Sequence, residues 1–426
     1  MTPVRRLRVA DGEIDAVARG LQPPPPDPAI REQVGAIIAD VASRGDAALV
    51  DLVRRFDAAD FTAERIRVDP EEIAEARRTA DPALVASLEV AAAQVRALAE
   101  HVRGSDVTAD LPLGQHITVR SIPVASVGAY VPGGRAAYPS SLVMAVVPAQ
   151  VAGVERIAVA SPVAGDGRVA PSILAAADIL GVDEVYAVGG PAAIAAFALG
   201  TERIAPVSVI SGPGSAWVQE AKRQVFGTVG IDSVAGPSEV VIVAAGDVDA
   251  EAVAADLCAQ AEHGPDSPAI LVTPDAAVLD AVAADLERRE VDGIITLVQV
   301  DDLSGAVRFA ETFAPEHLQL DCPDARAVAA GIRHAGAVFV GPNGGTAFGD
   351  YVAGSNHILP TGRAARFASS VSPATYRRRM SVVDLDDDAA RALAPHVATL
   401  AAAEGFPHHR RSAEIRARRI ERTERS

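Results

Sequence analysis

From about residue 118 the chain alternates short runs rich in Val and Ile with Ala-rich stretches of helical period, and this alternation constrains its fold most strongly. A run such as Val240-Val241-Ile242-Val243-Ala244 is apolar on both faces. As a strand it must be covered by helices on both sides, the signature of a parallel sheet. Parallel neighbours in turn need crossovers of a dozen or more residues, usually helical. Strands are expected at Arg156–Ala160, Glu184–Val188, Val207–Ile210, Glu239–Ala244, Ala269–Thr273, Ile294–Val300, His317–Leu320 and Ala337–Val340. Helical patterns lie between them, among them Ser140–Ala152, Ala170–Leu180, Ala192–Leu199, Ala216–Gln224, Asp249–Glu262, Ala276–Arg289 and Ala325–His334. The class is therefore α/β, built from βαβ units. Eight strands over this length fit two sheets better than one, with the turn Ala235–Pro237 as a seam between them.

The ends read differently. Residues 1–22 form a short arm closed by the run Pro23 to Pro26, a stiff extended spacer, so the arm is expected to leave the body of its own subunit. Helices are expected at Ile30–Arg44, Ala47–Phe56, Pro70–Thr79 and Pro82–Gly104. The stretch 385–426 reads as helical and charged and ends in an Arg-rich tail, Arg410 to Arg425; a solvated helix is the ordinary meaning of such a run.

Charge and cysteine usage exclude several classes of function. A net charge of −17 leaves no basic footprint for nucleic acid or an anionic membrane. Cys258 and Cys322 cannot make a disulfide framework, which points to a reducing cytoplasm. Met1 to Ala10 carries Arg5, Arg6 and Arg8 without a following apolar region, so no signal peptide is expected. The longest uncharged run, Val185 to Gly200, has 16 residues and falls short of the ~20 that span a bilayer.

Chemistry-bearing residues collect in a few places. Gln260 and His263 are three apart at the end of the helix Asp249–Glu262, which Gly264-Pro265 stops. A His nitrogen beside an amide oxygen suits zinc, although a lone His at a helix end also simply answers the dipole. Glu316 and His317 are adjacent where a helix hands over to a strand, residue types suited to acid–base work or to an ordinary solvent-facing turn. Gly349-Asp350-Tyr351 and Gly354 to Thr361 make a long polar loop in which Asp350 can ligate metal and His357 can touch substrate. Glu404 precedes His408-His409 near the C-terminus. Three Gly-rich segments, Gly128 to Arg135, Gly189-Gly190-Pro191 and Gly212-Pro213-Gly214-Ser215, can bring backbone N–H groups to a phosphate. The last has two glycines spaced as in the dinucleotide fingerprint but Trp217 in place of the third. Cys258, on an Ala-rich helix, reads as a buried structural thiol rather than a nucleophile.

Taken together these segments resemble the L-histidinol dehydrogenase family, from about residue 30 to residue 412. The resemblance rests on Gly128–Ser141, Gly230–Val240, Asp256–Ser267, Ala314–Leu318, Gly349–Thr361 and Ala401–His409, in the family's order and spacing. It implies two incomplete Rossmann-like domains with small terminal extensions. The larger would be discontinuous, 29–124 plus 238–375; the second would span 125–237, flanked by an arm (1–28) and a helical tail (376–426). It implies two NAD-dependent oxidations of L-histidinol to L-histidine through L-histidinal, with one zinc per subunit. Gln260, His263, Asp350 and His409 would be the zinc ligands. His317 would take the hydroxyl proton, and Glu316 would activate the water that adds to the aldehyde. Ser238, His357 and Glu404 would contact substrate together with His317 and the four ligand residues. Tyr130, Ala192 and Ser215 would line the NAD site. At the last two positions the family usually has Gln and Asn, so cofactor binding is expected to be weaker. The family is a homodimer whose C-terminal tail crosses over, so His409 and Glu404 would complete the neighbour's site.

Three rival readings remain at this point. A relative could use the same zinc and base on another small polar alcohol, such as a sulfonated diol; Glu404, suited to an ammonium, argues against it. A zinc hydrolase would use Glu316 beside a metal without nicotinamide. A non-catalytic NAD- or metal-binding module would have no need of Glu316 and His317.

Overall fold

The structure, a computed structural model, describes residues 4–23, 27–133, 137–290 and 293–424. The chain opens with β1 (Val4–Arg8) and α1 (Ile14–Gly20), then α2 (Pro28–Arg44), α3 (Asp46–Phe56), α4 (Pro70–Thr79) and α5 (Pro82–Val102). Two antiparallel strands follow, β2 (Val107–Asp110) and β3 (Gln115–Pro123). The first βα series is β4 (Ser126–Tyr130), α6 (Pro139–Ala152), β5 (Arg156–Ala160), α7 (Pro171–Ile179), β6 (Val185–Tyr186), α8 (Gly190–Leu199), β7 (Val209–Ser211), α9 (Ala216–Val225) and β8 (Gly230–Ile231). The second is β9 (Val240–Ala244), α10 (Ala250–Ala261), β10 (Ala269–Thr273), α11 (Ala276–Leu286), β11 (Ile295–Gln299), α12 (Leu303–Phe313), β12 (His317–Asp321), α13 (Ala325–Gly331) and β13 (Ala337–Val340). The short helix α14 (Thr346–Tyr351) comes next, and β14 (Arg377–Leu385), α15 (Asp387–Ala403) and α16 (Pro407–Glu424) close the chain.

Two compact units result, Met1–Val102 with Val124–Tyr376 and Arg103–Pro123 with Arg377–Ser426. The first holds both parallel sheets, in the orders β6-β5-β4-β7-β8 and β1-β11-β10-β9-β12-β13. Every residue of β9 and β10 is buried, as strands covered on both faces require. The second unit is an antiparallel sheet, β14-β3-β2, together with α15 and α16.

Three expectations are corrected here. The N-terminal arm does not leave its own subunit: β1 pairs with β11 over five residues at the sheet edge, and α1 buries Ile14 and Ala18 against Phe309 and Phe313. Its arginines reach carboxylates beside that edge, Arg6 to Asp280 at 2.8 Å and Arg8 to Asp301 at 3.2 Å. Interleaved with Val4 and Leu7, they make a charged edge strand, a common protection for a sheet edge. Of the proline run, Pro24 to Pro26 lie outside the described residues. Helices α2–α5 share the core of the five-stranded sheet, through Val34, Leu49, Phe61 and Val95, rather than that of the six-stranded one. The segment after residue 376 is not wholly helical: Arg377–Leu385 is a strand paired with β3 over nine residues. Its three consecutive arginines masked it. Among the described residues one helix, α5, is long and apolar enough by length and composition to cross a membrane. Glu89, Arg96 and Glu100 interrupt it, and Leu88, Ala91, Val95 and Ala99 pack into the core.

A buried ion pair fixes the turn between β7 and α9. Lys222 and Asp232, with side chains 1% and 2% exposed, bind each other. Lys222 Nζ also donates to the Gly212 carbonyl at 3.0 Å, and Asp232 Oδ2 accepts the Gly212 N–H at 2.8 Å. Gly212 sits at φ +125°, and a Cβ there would run into the Tyr130 carbonyl oxygen. Removing one partner of such a pair strands the other charge in low dielectric. Lys222→Met is therefore expected to lower the unfolding free energy by about 3–5 kcal/mol in urea titrations. A change below about 1 kcal/mol, the value of an exposed pair, would contradict the assignment.

Candidate active site

The first βα series ends its strands on glycine-rich turns. Tyr130 closes β4, and its buried hydroxyl accepts the Gly190 N–H at 3.1 Å, tying that strand to the start of α8. Burial pushes the Tyr130 phenol up to about 12, so it stays a neutral hydrogen-bonding group. Ser215 is exposed at the N-cap of α9 and makes no side-chain cap, whereas Ala192 is buried within α8. These positions share the carboxyl edge of the five-stranded sheet, where open α/β sheets bind ligands. Gly134 and Arg135 of the first Gly-rich segment lie outside the described residues.

The candidate acid–base residues gather at the opposite kind of edge, the amino ends of β9 and β12. Helix α10 runs back along β9, so its C-terminus brings Gln260 and His263 to the same edge. Ser238 Oγ donates to Gln260 Oε1 at 3.2 Å. Helix α12 ends on Ala314, held in the left-handed region at φ 55°, and the chain turns through Pro315 into Glu316 and His317. A non-glycine residue there is uncommon and costs roughly 1–2 kcal/mol. Both Glu316 and His317 are buried, which excludes the solvent-facing turn. His317 Nδ1 faces the Glu239 carbonyl at 3.2 Å and Nε2 faces Asp350 Oδ1, also at 3.2 Å, so each ring nitrogen has an acceptor for a proton. Asp350 stands on α14, which packs closely because Gly349 rests on the Phe339 ring; that ring in turn lies 6.0 Å from the His317 ring. His357 bridges Ser141 Oγ (3.0 Å, Nε2) and the Asp350 carbonyl (2.6 Å, Nδ1). It thereby ties the 354–361 loop to α6.

Charge is concentrated in little space. Burial and the neighbouring Glu316 carboxylate push Glu239 up to about 8. Burial raises Glu316 as well. For His317, burial acts downward but the Glu316 and Asp350 carboxylates outweigh it, raising the imidazole to about 9. Burial works against the Asp350 carboxylate, yet His317, His357 and His263 together hold it below its ordinary value. Burial lowers His357. The Gln260 Nε2 atom is buried without a hydrogen-bond partner. Amide oxygen and nitrogen exchange on a flip of the side chain, so Gln260 can turn its oxygen into the site.

Of the residues singled out in the sequence, Ser238, Gln260, Glu316, His317, Asp350 and His357 are thus joined by direct contacts, and His263 is close enough for its charge to act on Asp350 and His357. Glu404 and His409 belong to the second unit, where both are exposed; His409 lies 5.3 Å from the Phe406 ring. Among the described residues no group of three or more His, Cys, Asp or Glu is placed to hold a metal ion. Gln260, His263 and Asp350 are an amide, an imidazole and a carboxylate, a donor set that fits zinc once a further ligand joins. Cys258 is buried with its thiol pushed up by that burial, a structural thiol. Sequence reasoning passed over Glu239, whose signal was a carboxylate entering an otherwise apolar strand. It also passed over Ser141, for which no local pattern exists.

The chain as a whole is similar to known proteins. Residues 26–417 match the family model described as histidinol dehydrogenase. The histidinol dehydrogenase of Rhizobium meliloti (strain 1021) is 46% identical over 398 residues, covering 90% of this chain and 91% of its own. That of Streptomyces avermitilis is 43% identical over 403 residues, covering 91% and 90%. The crystal structure of histidinol dehydrogenase from Elizabethkingia anophelis superposes with a TM-score of 0.91 at 28% identity, covering 99% of each chain.

The raised Glu239 has a consequence for stability. Its folded value of about 8 lies above the ordinary 4.5, so between those values the folded state holds a proton that the unfolded chain has lost. The stability this gives is fully present below about 4.5 and is lost as pH rises through 8. Urea unfolding of metal-free protein at pH 5 and at pH 8 is expected to show wild type losing more stability than Glu239→Gln over that window. Equal losses would contradict the shift.

Proposed function

Because the chain belongs to the histidinol dehydrogenase family, we propose that it oxidises L-histidinol to L-histidine in two NAD-dependent steps through L-histidinal, using one zinc ion per subunit. This would be the last step of histidine biosynthesis. The observation that carries the proposal is the buried Glu316–His317 pair, with His317 Nε2 facing the Asp350 carboxylate.

In this reading His317 Nε2 takes the hydroxyl proton of L-histidinol as hydride leaves its carbon for NAD⁺. Water then adds to the aldehyde carbon, and Glu316 accepts its proton. A second hydride leaves for a second NAD⁺, and the carboxylate product forms. A Glu raised by burial takes up a proton more readily than a solvated one. Zinc, when bound, supplies a Lewis-acidic centre that orients the imidazole and amino nitrogens of the substrate and offsets the Asp350 charge. Gln260, His263 and Asp350 would hold it, with His409 of the neighbouring subunit as the remaining ligand. Glu404 of that neighbour would receive the substrate ammonium, and Ser238 and His357 would complete the substrate contacts. The exposure of Glu404 and His409 supports this intertwined homodimer. So do the exposed aromatic side chains of Phe226, Phe348 and Phe367. NAD would bind along the glycine-rich turns at Tyr130, Ala192 and Ser215. The free Cys258 and Cys322 fit a reducing cytoplasm.

Two measurements test this. NADH formed per L-histidinol consumed, with zinc-loaded protein and excess NAD⁺, is expected to be about two and to be abolished by His317→Ala or by a chelator. No NADH would overturn the substrate assignment. Calorimetric titration with NAD⁺ is expected to show Ser215→Asn binding about 2- to 12-fold tighter, one added hydrogen bond of ~0.5–1.5 kcal/mol. Unchanged affinity would remove Ser215 from the cofactor site.

A further inference from the structure

Glu239 is a carboxylate with no exposed surface at the entrance to an all-apolar strand. Such a group is expensive unless its oxygens are met by donors. Its Oε1 accepts the Gly362 N–H at 3.0 Å and its Oε2 accepts the Glu316 N–H at 3.3 Å. Glu316 returns the bond, its Oε2 accepting the Glu239 N–H at 3.0 Å. The Glu239 carbonyl meanwhile accepts the His317 N–H at 3.1 Å and faces His317 Nδ1 at 3.2 Å. One residue thus contacts both members of the acid–base pair and ties them to the loop that follows His357. From this geometry we infer that Glu239 is a positioning residue for the aldehyde-oxidising half of the reaction: its carboxylate anchors the Glu316 backbone, and the reciprocal bond holds the Glu316 carboxylate where it takes the proton of the attacking water.

The selectivity follows from which contacts depend on the side chain. His317 is held by the Glu239 main chain, which a substitution leaves in place. Glu316 is held partly through the Glu239 carboxylate, which a substitution changes. A carboxyl keeps acceptor lone pairs on both oxygens with or without its proton, whereas Gln at 239 has a single acceptor oxygen, so it can keep only one of the Glu316 and Gly362 N–H bonds and turns an NH₂ toward the other. Loss of a few tenths of an ångström in the aim of a general base is costly to rate and almost free in affinity.

The inference rests on the proposed reaction, so wild type is measured first with L-histidinol and with L-histidinal. If it forms NADH from neither, the proposed function fails before any variant is made. With wild type active, Glu239→Gln is expected to lower kcat for L-histidinal oxidation about 10- to 100-fold. The first-turnover NADH burst from L-histidinol and the KM for L-histidinol should change less than about threefold. In a Glu316→Gln background, adding Glu239→Gln should lower L-histidinal oxidation no further, because the residue acts through Glu316. A merely structural role would slow both half-reactions alike and would act in the double variant too; either result overturns the inference. Thermal melting confirms that the variants fold. Should Glu239→Gln not fold, Glu239→Asp, which withdraws the carboxylate by one methylene, is expected to show the same selective loss, and equal loss in both halves would again overturn it.

Discussion

Two carboxylates lie side by side between β9 and β12, Glu239 and Glu316, and each accepts the other's backbone N–H. Everything at this edge of the sheet is arranged around that exchange. Buried acids so close would repel if both ionised, and burial raises the proton affinity of each. The cost is tolerated because the main-chain bonds also set the imidazole of His317, with Nδ1 on a carbonyl and Nε2 toward Asp350. The orientation of the base is thus specified by backbone geometry, which is less mobile than side-chain packing.

The two sheets contribute unlike ends. The five-stranded sheet offers its carboxyl edge, the usual ligand-binding edge of an α/β sheet, where the Lys222–Asp232 pair holds Gly212 and the Tyr130 hydroxyl holds Gly190. The six-stranded sheet offers its amino edge, lined by the turn into β9, the turn into β12 and the C-terminus of α10. The contact of Ser141, on the helix after β4, with His357 links the two. In the proposed reaction, proton transfer is the work of one sheet while the other carries the glycine-rich turns proposed for NAD.

Much of this was legible in the sequence, for identifiable reasons. Parallel strands buried on both faces must be continuous runs of apolar residues, so β9 to β11 could be located from residue type. Glu316, His317, Gln260, His263, Asp350 and His357 stand out because polar residues at the ends of apolar elements have few structural excuses. Among the elements that escaped are charged strands and β4, a fully buried strand whose Gly128 and small residues read as a Gly-rich segment. β1 and β14 carry consecutive arginines because they lie at sheet edges where those side chains reach solvent or carboxylates. The packing of α2–α5 on the five-stranded sheet is a tertiary choice that local pattern does not encode. Glu239 escaped because its role depends on a partner 77 residues away.

The central claim is that one site performs two different proton transfers with adjacent residues, His317 for the alcohol and Glu316 for the water. Single-turnover oxidation of L-histidinol by Glu316→Gln, with NADH and aldehyde both quantified, tests it most directly. The account predicts about one NADH per L-histidinol, with L-histidinal accumulating in equal amount. A yield still at about two, or a loss of both NADH equivalents together, would contradict the division of labour between the two residues.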